Sequence, residues 1–266
     1  MRNAISRRHA SLSFLLIAAM FVVTGTRAQA AIDPLWDHYK VYQVVPPYPA
    51  NPTIPVQIID QFGSFNHQVT QFDMFMNPAE KDLAPPSTAV FPINNPTLHY
   101  TWWKISPQPF SAVVAVTNQF GSQTLNVHDG VYLLNPAIKN QLGTIQQKNH
   151  YKCYQCDGQP VYQDIRMGDQ FDFWSATVLW PRYFCNPAAK NMATINYPIV
   201  DPNQHYVCYE FQPVDGHPFA AVVTDQFVSN VAMDLPYGIL ICVPTQKDGV
   251  TGDRSETWGR IKMLYR

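Results

Sequence analysis

The chain has 266 residues and a formal net charge of −1, from 18 Lys and Arg against 19 Asp and Glu. Four of the arginines lie in residues 1–30, so the remainder carries 14 basic and 19 acidic side chains, a net charge of −5. This remainder has no Lys/Arg cluster, which argues against nucleic acid as a partner. It also has no apolar stretch long enough for a transmembrane helix.

The first 30 residues have the layout of a secretory signal peptide. Arg2, Arg7 and Arg8 precede an apolar run at 12–23, and Ala28-Gln29-Ala30 supplies small residues for cleavage. A retained anchor is the alternative, but the run is short for a permanent span. We therefore expect residues 1–30 to be removed and the rest to be exported to the periplasm, cell surface or extracellular space.

The rest of the chain contains three short motifs that recur four times in the same order. They are His-Tyr-x-x-(Tyr/Trp) from His38, His99, His150 and His205; (Asp/Asn)-Gln-Phe from Asp60, Asn118, Asp169 and Asp225; and Asn-Pro-Ala-x-Lys from Asn77, Asn135 and Asn186, with a variant from Val243. This recurrence predicts four tandem repeat units at 31–97, 98–148, 149–203 and 204–266, the last with a closing strand near the C-terminus.

Each unit reads as three antiparallel strands. Apolar residues alternate with variable ones before the second motif, and apolar residues precede the third. Glu is scarce and aromatic residues are plentiful, which also favours an all-β fold. Since one unit buries too little surface alone, we expect units 1 with 2 and 3 with 4 to pack as sandwich- or barrel-like domains. Asn-Pro-Ala-x-Lys predicts one capped helical turn, with the lysine as a charge at the end of the turn.

The five cysteines all lie in units 3 and 4. Cys153 and Cys208 share one position in the repeat, and Cys185 and Cys242 share another. Units 1 and 2 lack both members, with Val41 and Met76 or Trp102 and Leu134 instead. Positions that gain cysteine together are expected to touch, so we predict disulfides Cys153–Cys185 and Cys208–Cys242, in keeping with export.

Cys156 remains as a predicted free thiol or an intermolecular cross-link. Cys153-x-x-Cys156 is also a redox or zinc spacing. However, residues three apart on a strand point to opposite faces, and no second cysteine pair completes a zinc site. We therefore predict no metal, no cofactor and no catalytic residue from this motif.

The repeated polar residues have functional and structural interpretations. The motif Asp could be a catalytic base or a calcium ligand, but Asn118 in unit 2 could not act as a general base or as a charge-dependent metal ligand. It could still accept a hydrogen bond from a backbone N–H at a turn. The motif histidines could bind a metal, but they begin four equivalent strands, which favours packing and hydrogen bonding.

The tryptophans are the best candidates for ligand contact. Trp36, Trp103, Trp174 and Trp180 lie mostly outside the repeated apolar positions, and exposed aromatic rings can stack on sugars or anchor protein contacts. A place in the core between units is the other interpretation, and burial statistics favour it.

These motifs make the chain resemble a family of exported bacterial proteins of unknown function. The units of that family read His-Tyr-x-Cys-Tyr, then Asp-Gln-Phe-Gly, then Leu-Cys-x-Pro. Units 3 and 4 match the cysteines of this pattern, whereas units 1 and 2 match its Asp-Gln-Phe-Gly element at 60–63 and 118–121. The resemblance implies export and a β-rich repeat, and it implies no activity.

The sequence therefore predicts an exported, non-catalytic structural or binding module, whose partner is an envelope glycan or another surface protein. No serine-protease triad, phosphate loop or zinc-protease motif is present. The alternative is an exported hydrolase with a site between units, for which Asp172, His128 and His217 are candidates because the copies do not share them.

Overall fold

The computed structural model describes residues 33–83, 90–216 and 218–250, and all regular structure in these ranges is β-strand. The signal segment, His217, Trp258 and the closing C-terminal strand lie outside them. The strands are β1 (His38–Asp60), β2 (Gly63–Leu83), β3 (Val90–Phe91), β4 (His99–Gln108), β5 (Ala112–Asn118), β6 (Gly121–Lys139), β7 (His150–Asp157), β8 (Gln163–Gly168), β9 (Phe173–Met192), β10 (Ile195–Tyr197), β11 (His205–Asp215), β12 (Phe219–Thr224) and β13 (Val231–Val250).

Eight of these strands form a closed antiparallel ring. The order is β1, β13, β11, β9, β7, β6, β4 and β2, and β2 pairs back with β1. Each repeat unit contributes its first-motif strand and its third strand, so the ring contains one adjacent pair from every unit. The units are therefore not segregated into two domains of two, and the predicted pairwise packing is wrong.

The second strand of each unit folds back as a hairpin with the first half of the third strand; we call these hairpins arms 1 to 4. Arm 1 adds to the third strand of unit 3, through β1 against β9, and arm 3 adds to that of unit 1, through β8 against β2. Arms 2 and 4 add to units 4 and 2 in the same way. Each arm thus crosses to the unit two places along the chain, which explains why adjacent units do not pair off.

The Asn-Pro-Ala-x-Lys motif continues a strand, and the predicted helical turn is wrong. In unit 1, Pro78 pairs with Tyr39 of β1, just past the end of the ladder between β2 and β4, whose last pair is Met76 with Tyr100. A proline at this point removes no hydrogen bond from that second ladder. Two residues later the strand gains a new partner, because Glu80 pairs with Gly168 of arm 3. The other three units repeat this exchange of partners.

The ring separates one inner core from two outer cores. The inner core takes inward-facing side chains from all eight ring strands, and the outer cores lie between the ring and the arms. The closing residues of the first motif, Tyr42, Trp103, Tyr154 and Tyr209, belong to the outer cores. Alternation along each first-motif strand therefore assigns the motif tyrosine to the inside and the closing aromatic to the outside.

Both predicted disulfides are present in the inner core. Cys153 pairs with Cys185 and Cys208 with Cys242, at Cα–Cα distances of 4.0 and 3.9 Å. In units 1 and 2 the same register positions hold Val41 opposite Met76 and Trp102 opposite Leu134. The covariation of these two positions among the copies therefore reported a direct cross-strand contact.

Candidate functional site

The (Asp/Asn)-Gln-Phe motif forms the tip of every arm. In all four tips the Asp or Asn side-chain oxygen accepts a hydrogen bond of 2.7–2.9 Å from the backbone N–H of the motif Phe. This confirms the predicted turn role, which Asn118 fills as well as an aspartate does.

The same side chains anchor the tips on the opposite units. Asp169 of arm 3 accepts hydrogen bonds from the Tyr42 hydroxyl (2.8 Å) and the Asn77 amide (2.9 Å) in unit 1. Asp60 makes the equivalent contacts with Tyr154 and Asn186 in unit 3, and Asp225 with Trp103 and Asn135 in unit 2. The second and third motifs thus recognise each other across the molecule, which leaves the repeated carboxylates occupied by the fold.

Three of the four motif lysines, Lys81, Lys139 and Lys190, are buried, and Lys247 is half-buried. All four lie on strands, so their predicted role as charges at the ends of turns is wrong. Lys190 donates to Asn135 at 2.9 Å and to Gln226, and its ammonium lies over the ring of Phe227. Burial lowers the pKa of Lys190 to about 7, against the opposing effect of Asp225. The charges of Lys139, Lys190 and Lys247 are opposed by the tip carboxylates Asp169, Asp225 and Asp60 respectively.

The fourth docking site has a different chemistry, because unit 2 carries Asn118 in place of the aspartate. The unit that receives this tip has Val243 where the other units have asparagine. The corresponding lysine, Lys81, is buried between Phe91 and Phe120, and its ammonium has no hydrogen-bond partner. Burial lowers the pKa of Lys81 to about 7. This site therefore lacks the carboxylate of the tip and the asparagine amide of the receiving unit, but it keeps the lysine.

The four motif histidines are buried at the start of the first-motif strands. His38 and His150 bond to the side chains of Gln119 and Gln226 at the arm tips, at 2.5 and 2.9 Å, whereas His99 and His205 stack on Phe75 and Phe184. Burial lowers the pKa of His38, His99 and His205 to about 3 and that of His150 well below its usual value. They lie in four separate places around the ring, and the described residues contain no group of three potential metal ligands.

Cys156 is buried in an outer core, on the face of β7 opposite to Cys153 of the inner core. Burial raises the pKa of its thiol. The arrangement agrees with the strand argument against a local Cys153–Cys156 site.

The four candidate tryptophans lie in different surroundings. Trp103 is fully buried and donates to Asp225, so its assignment to ligand contact is wrong: both ring faces pack inside an outer core. Trp174 is half-buried against the other outer core and donates to the carbonyl of Pro213 at 3.0 Å. Trp180 is 44% exposed and contacts the exposed ring of Tyr162.

Trp36 lines a cavity of about 230 Å³ at the end of the ring where the four first-motif strands begin. The walls come from the linkers that lead into the four units, and the motif residue Tyr39 closes the inner end. We call this cavity the axial pocket. Its other lining residues are mainly carboxylates and amides: Asp33, Asp37, Asp201, Asn95, Asn149 and Gln204, with Lys148, Leu35, Leu98 and Val200.

Below the axial pocket, Tyr39, Tyr100, Tyr151 and Tyr206 form a closed ring of edge-to-face contacts around the pseudo-four-fold axis. Neighbouring centroids are 5.3–5.7 Å apart. Burial raises the pKa of all four hydroxyls, so they are neutral donors and acceptors at pH 7. Gln204 connects this floor to the pocket wall, since it accepts from Tyr151 at 2.8 Å and donates to Tyr206 at 3.0 Å.

Hydrogen bonds between linkers fix the shape of the pocket. Asp37 accepts from the backbone N–H groups of Asn94 and Asn95, and Asn149 accepts from those of Val200 and Asp201 at 2.8 and 2.9 Å. Asn95 also bonds to Gln146 of the next linker at 2.8 Å. The pocket is thus preorganised by bonds between units.

Sequence reasoning identified Trp36 but missed the rest of the axial pocket. A usable signal was present: the residue directly before each motif histidine differs in every copy, as Asp37, Leu98, Asn149 and Gln204. The repeat shows that the strands begin at equivalent places, so these four residues had to meet near one axis once the ring closed.

The hydrolase candidates are not brought together with this pocket. His128 lies on arm 2 and bonds to Asp157 at 2.8 Å on the exposed surface, and Asp172 lies at the tip of arm 3. A second cavity, of about 490 Å³, lies beside arm 4 and is lined mainly by Pro, Ala and Val, with no convergent set of polar groups.

A family model described as "Repeat of unknown function (DUF7450)" matches residues 98–243. Because this match covers more than half of the chain, the protein belongs to that repeat family. No curated protein and no solved structure showed significant similarity to this chain. Among the described residues, no helix is long and apolar enough to cross a membrane.

Proposed function

We propose that this protein is an exported, non-catalytic binding module and that the axial pocket is its binding site. The observation that carries the proposal is that repeated and unrepeated polar residues have different places in the fold. The repeated polar side chains form the hydrogen bonds that dock the arms, whereas polar side chains that the copies do not share line one preorganised cavity.

Export is supported by the signal-like N-terminus and by the two disulfides, which suit an oxidising compartment. The destination that fits these features is the periplasm, the cell surface or the extracellular space. The partner is an envelope glycan or another surface protein.

The experiment is a pull-down and titration of the disulfide-bonded protein against isolated envelope fractions, purified glycans and envelope proteins. We expect saturable binding that is lost in Trp36→Ala and retained in Trp180→Ala, a matched removal of an exposed tryptophan outside the pocket. If both variants retain binding, the binding site lies outside the axial pocket. Turnover of a glycan or peptide during the titration would instead support the hydrolase.

A further inference from the structure

We propose that the axial pocket binds a single neutral pyranose ring at the end of a glycan and discriminates against acidic sugars. The inference rests on the proposed binding function and narrows its ligand to one chemical class. It follows from the size of the cavity, the aromatic wall and the polarity and charge of the lining.

The size restricts the ligand to one ring. A cavity of about 230 Å³ has room for roughly eight water molecules at ~30 Å³ each. This is below the usual range of pockets that enclose drug-sized ligands, which begins at about 300 Å³. A single pyranose with its hydroxyls fits, and the following sugar of a chain would remain outside.

The lining has the two kinds of surface that a sugar ring presents. Trp36 contributes an aromatic ring to the lining, and an indole face complements the C–H face of a pyranose. The amides of Asn95, Asn149 and Gln204 are engaged in the bonds that hold the linkers together. Asp33 and Asp201 each use one carboxylate oxygen to accept from a backbone N–H, and the second oxygen can accept from a sugar hydroxyl. A purely apolar ligand would displace water from these carboxylates without replacing its hydrogen bonds, which disfavours it.

The charges in the wall set the preference among sugars. Asp33, Asp37 and Asp201 face the cavity against Lys148 alone. The negative field reaches the floor, where Asp37 contributes to the raised pKa of Tyr39, Tyr100 and Tyr206. A uronic acid would place a carboxylate in this field, and repulsion costs it roughly tenfold in affinity at an effective dielectric near 20–40.

The test is a saturation-transfer NMR titration of the disulfide-bonded protein with methyl β-glucoside, methyl β-galactoside, methyl α-mannoside and methyl β-glucuronide. We expect at least one neutral glycoside to bind with a dissociation constant of about 1 mM or tighter. Methyl β-glucuronide should bind roughly tenfold more weakly than methyl β-glucoside, or not at all.

Three variants make the test specific. Trp36→Ala should abolish binding, while Trp36→Phe, which keeps an aromatic face, should retain it. Asp201→Asn keeps the acceptor used by the Asn203 N–H and removes one negative charge. It should therefore reduce the difference in affinity between methyl β-glucoside and methyl β-glucuronide. The inference would be overturned if both sugars bound equally or if the glucuronide bound more tightly. It would also be overturned if Asp201→Asn left the difference in affinity unchanged.

The failures of the two proposals are distinguishable. If envelope material binds in a Trp36-dependent manner while no neutral glycoside in the panel binds, the sugar assignment fails and the binding function stands. If glycosides bind equally to Trp36→Ala and Trp180→Ala variants, the pocket assignment fails with both.

Discussion

Equivalent lysines in two docking sites illustrate how one residue type can stabilise the fold at one site and destabilise it at another. Lys190 donates hydrogen bonds to Asn135 and Gln226, whereas Lys81 occupies the equivalent position without a hydrogen bond. A buried charge is favourable only when its partners compensate the lost hydration. Equivalent positions in one chain therefore provide an internal comparison that separates the value of a buried charge from that of its surroundings.

Replacing each of these lysines by methionine should change stability in opposite directions. Lys81→Met should raise the free energy of unfolding by about 1–2 kcal/mol, because it removes a buried ammonium that has no hydrogen-bond partner. Lys190→Met should lower it by about 2–4 kcal/mol, because Asn135, Gln226 and Asp225 lose their partner. Urea unfolding of the two variants checks the prediction, and a change of the same sign in both would contradict it.

The buried histidines predict a stability that falls in acid. Their pKa is lowered in the folded protein, so the unfolded chain binds more protons, and stability is lost as pH falls from about 6.5 toward 3. At pH 5, each of His38, His99 and His205 should lower the free energy of unfolding by about 2 kcal/mol relative to its value at pH 7.5.

Unfolding free energies at pH 7.5, 6 and 5 measure this effect. His99→Phe preserves the stacking on Phe75 and should reduce the pH dependence. A pH dependence that is equal in wild type and His99→Phe would show that this histidine is not held neutral.

At the scale of the strand pair, the repeat uses two chemistries for one contact. Cys153 faces Cys185 where Val41 faces Met76 in unit 1. In the chain-entropy model, the disulfide restricts the unfolded chain and stabilises by about 3–4 kcal/mol. The apolar pair instead acts in the folded state by filling the same volume.

This difference predicts an order of stability for two double variants. Cys153→Ala/Cys185→Ala loses the cross-link and leaves space in the inner core, so we expect a loss of about 4–6 kcal/mol. Cys153→Val/Cys185→Met copies the pair of unit 1 and should recover about 1–2 kcal/mol of that loss. Chemical unfolding ranks the variants; peptide mapping without reductant must also show Cys153–Cys185 in wild type, and a Cys153–Cys156 peptide would contradict the pairing.

The sequence predicted the strands, the tip turns and the disulfides because each depends on neighbours within one unit, and four copies acted as an alignment. It failed at Asn-Pro-Ala-x-Lys because the local capping pattern says nothing about a partner two units away. Pro78 and Lys81 are compatible with a strand only because arm 3 arrives beside them. The axial pocket was missed for the same reason, since its walls meet only after the ring closes.

At the scale of the whole molecule, closure of the ring and crossing of the arms make the four units interdependent. Arms 1 and 2 dock on units 3 and 4, and arms 3 and 4 dock on units 1 and 2. Neither half of the chain contains the surfaces that its own arms need. This differs from a linear solenoid, in which each repeat contacts only its neighbours.

Residues 31–148 and 149–266, expressed separately, should therefore lack a cooperative unfolding transition. Mixing them should restore one, because both disulfides lie within the second fragment and no covalent link between the halves is required. Circular dichroism during urea titration distinguishes the cases. Independent cooperative folding of residues 31–148 would support packing in pairs and contradict the crossed arms.

The central claim is that the repeated motif residues maintain the scaffold and that the pocket residues bind. It is tested most directly by measuring affinity for one ligand, methyl β-glucoside or the envelope fraction that binds, in Trp36→Ala and Asp225→Asn side by side. We predict that Asp225→Asn lowers the melting temperature and keeps the affinity of the folded protein, whereas Trp36→Ala keeps the melting temperature within a few degrees and loses at least tenfold in affinity. Loss of affinity in folded Asp225→Asn together with unchanged affinity in Trp36→Ala would contradict the account.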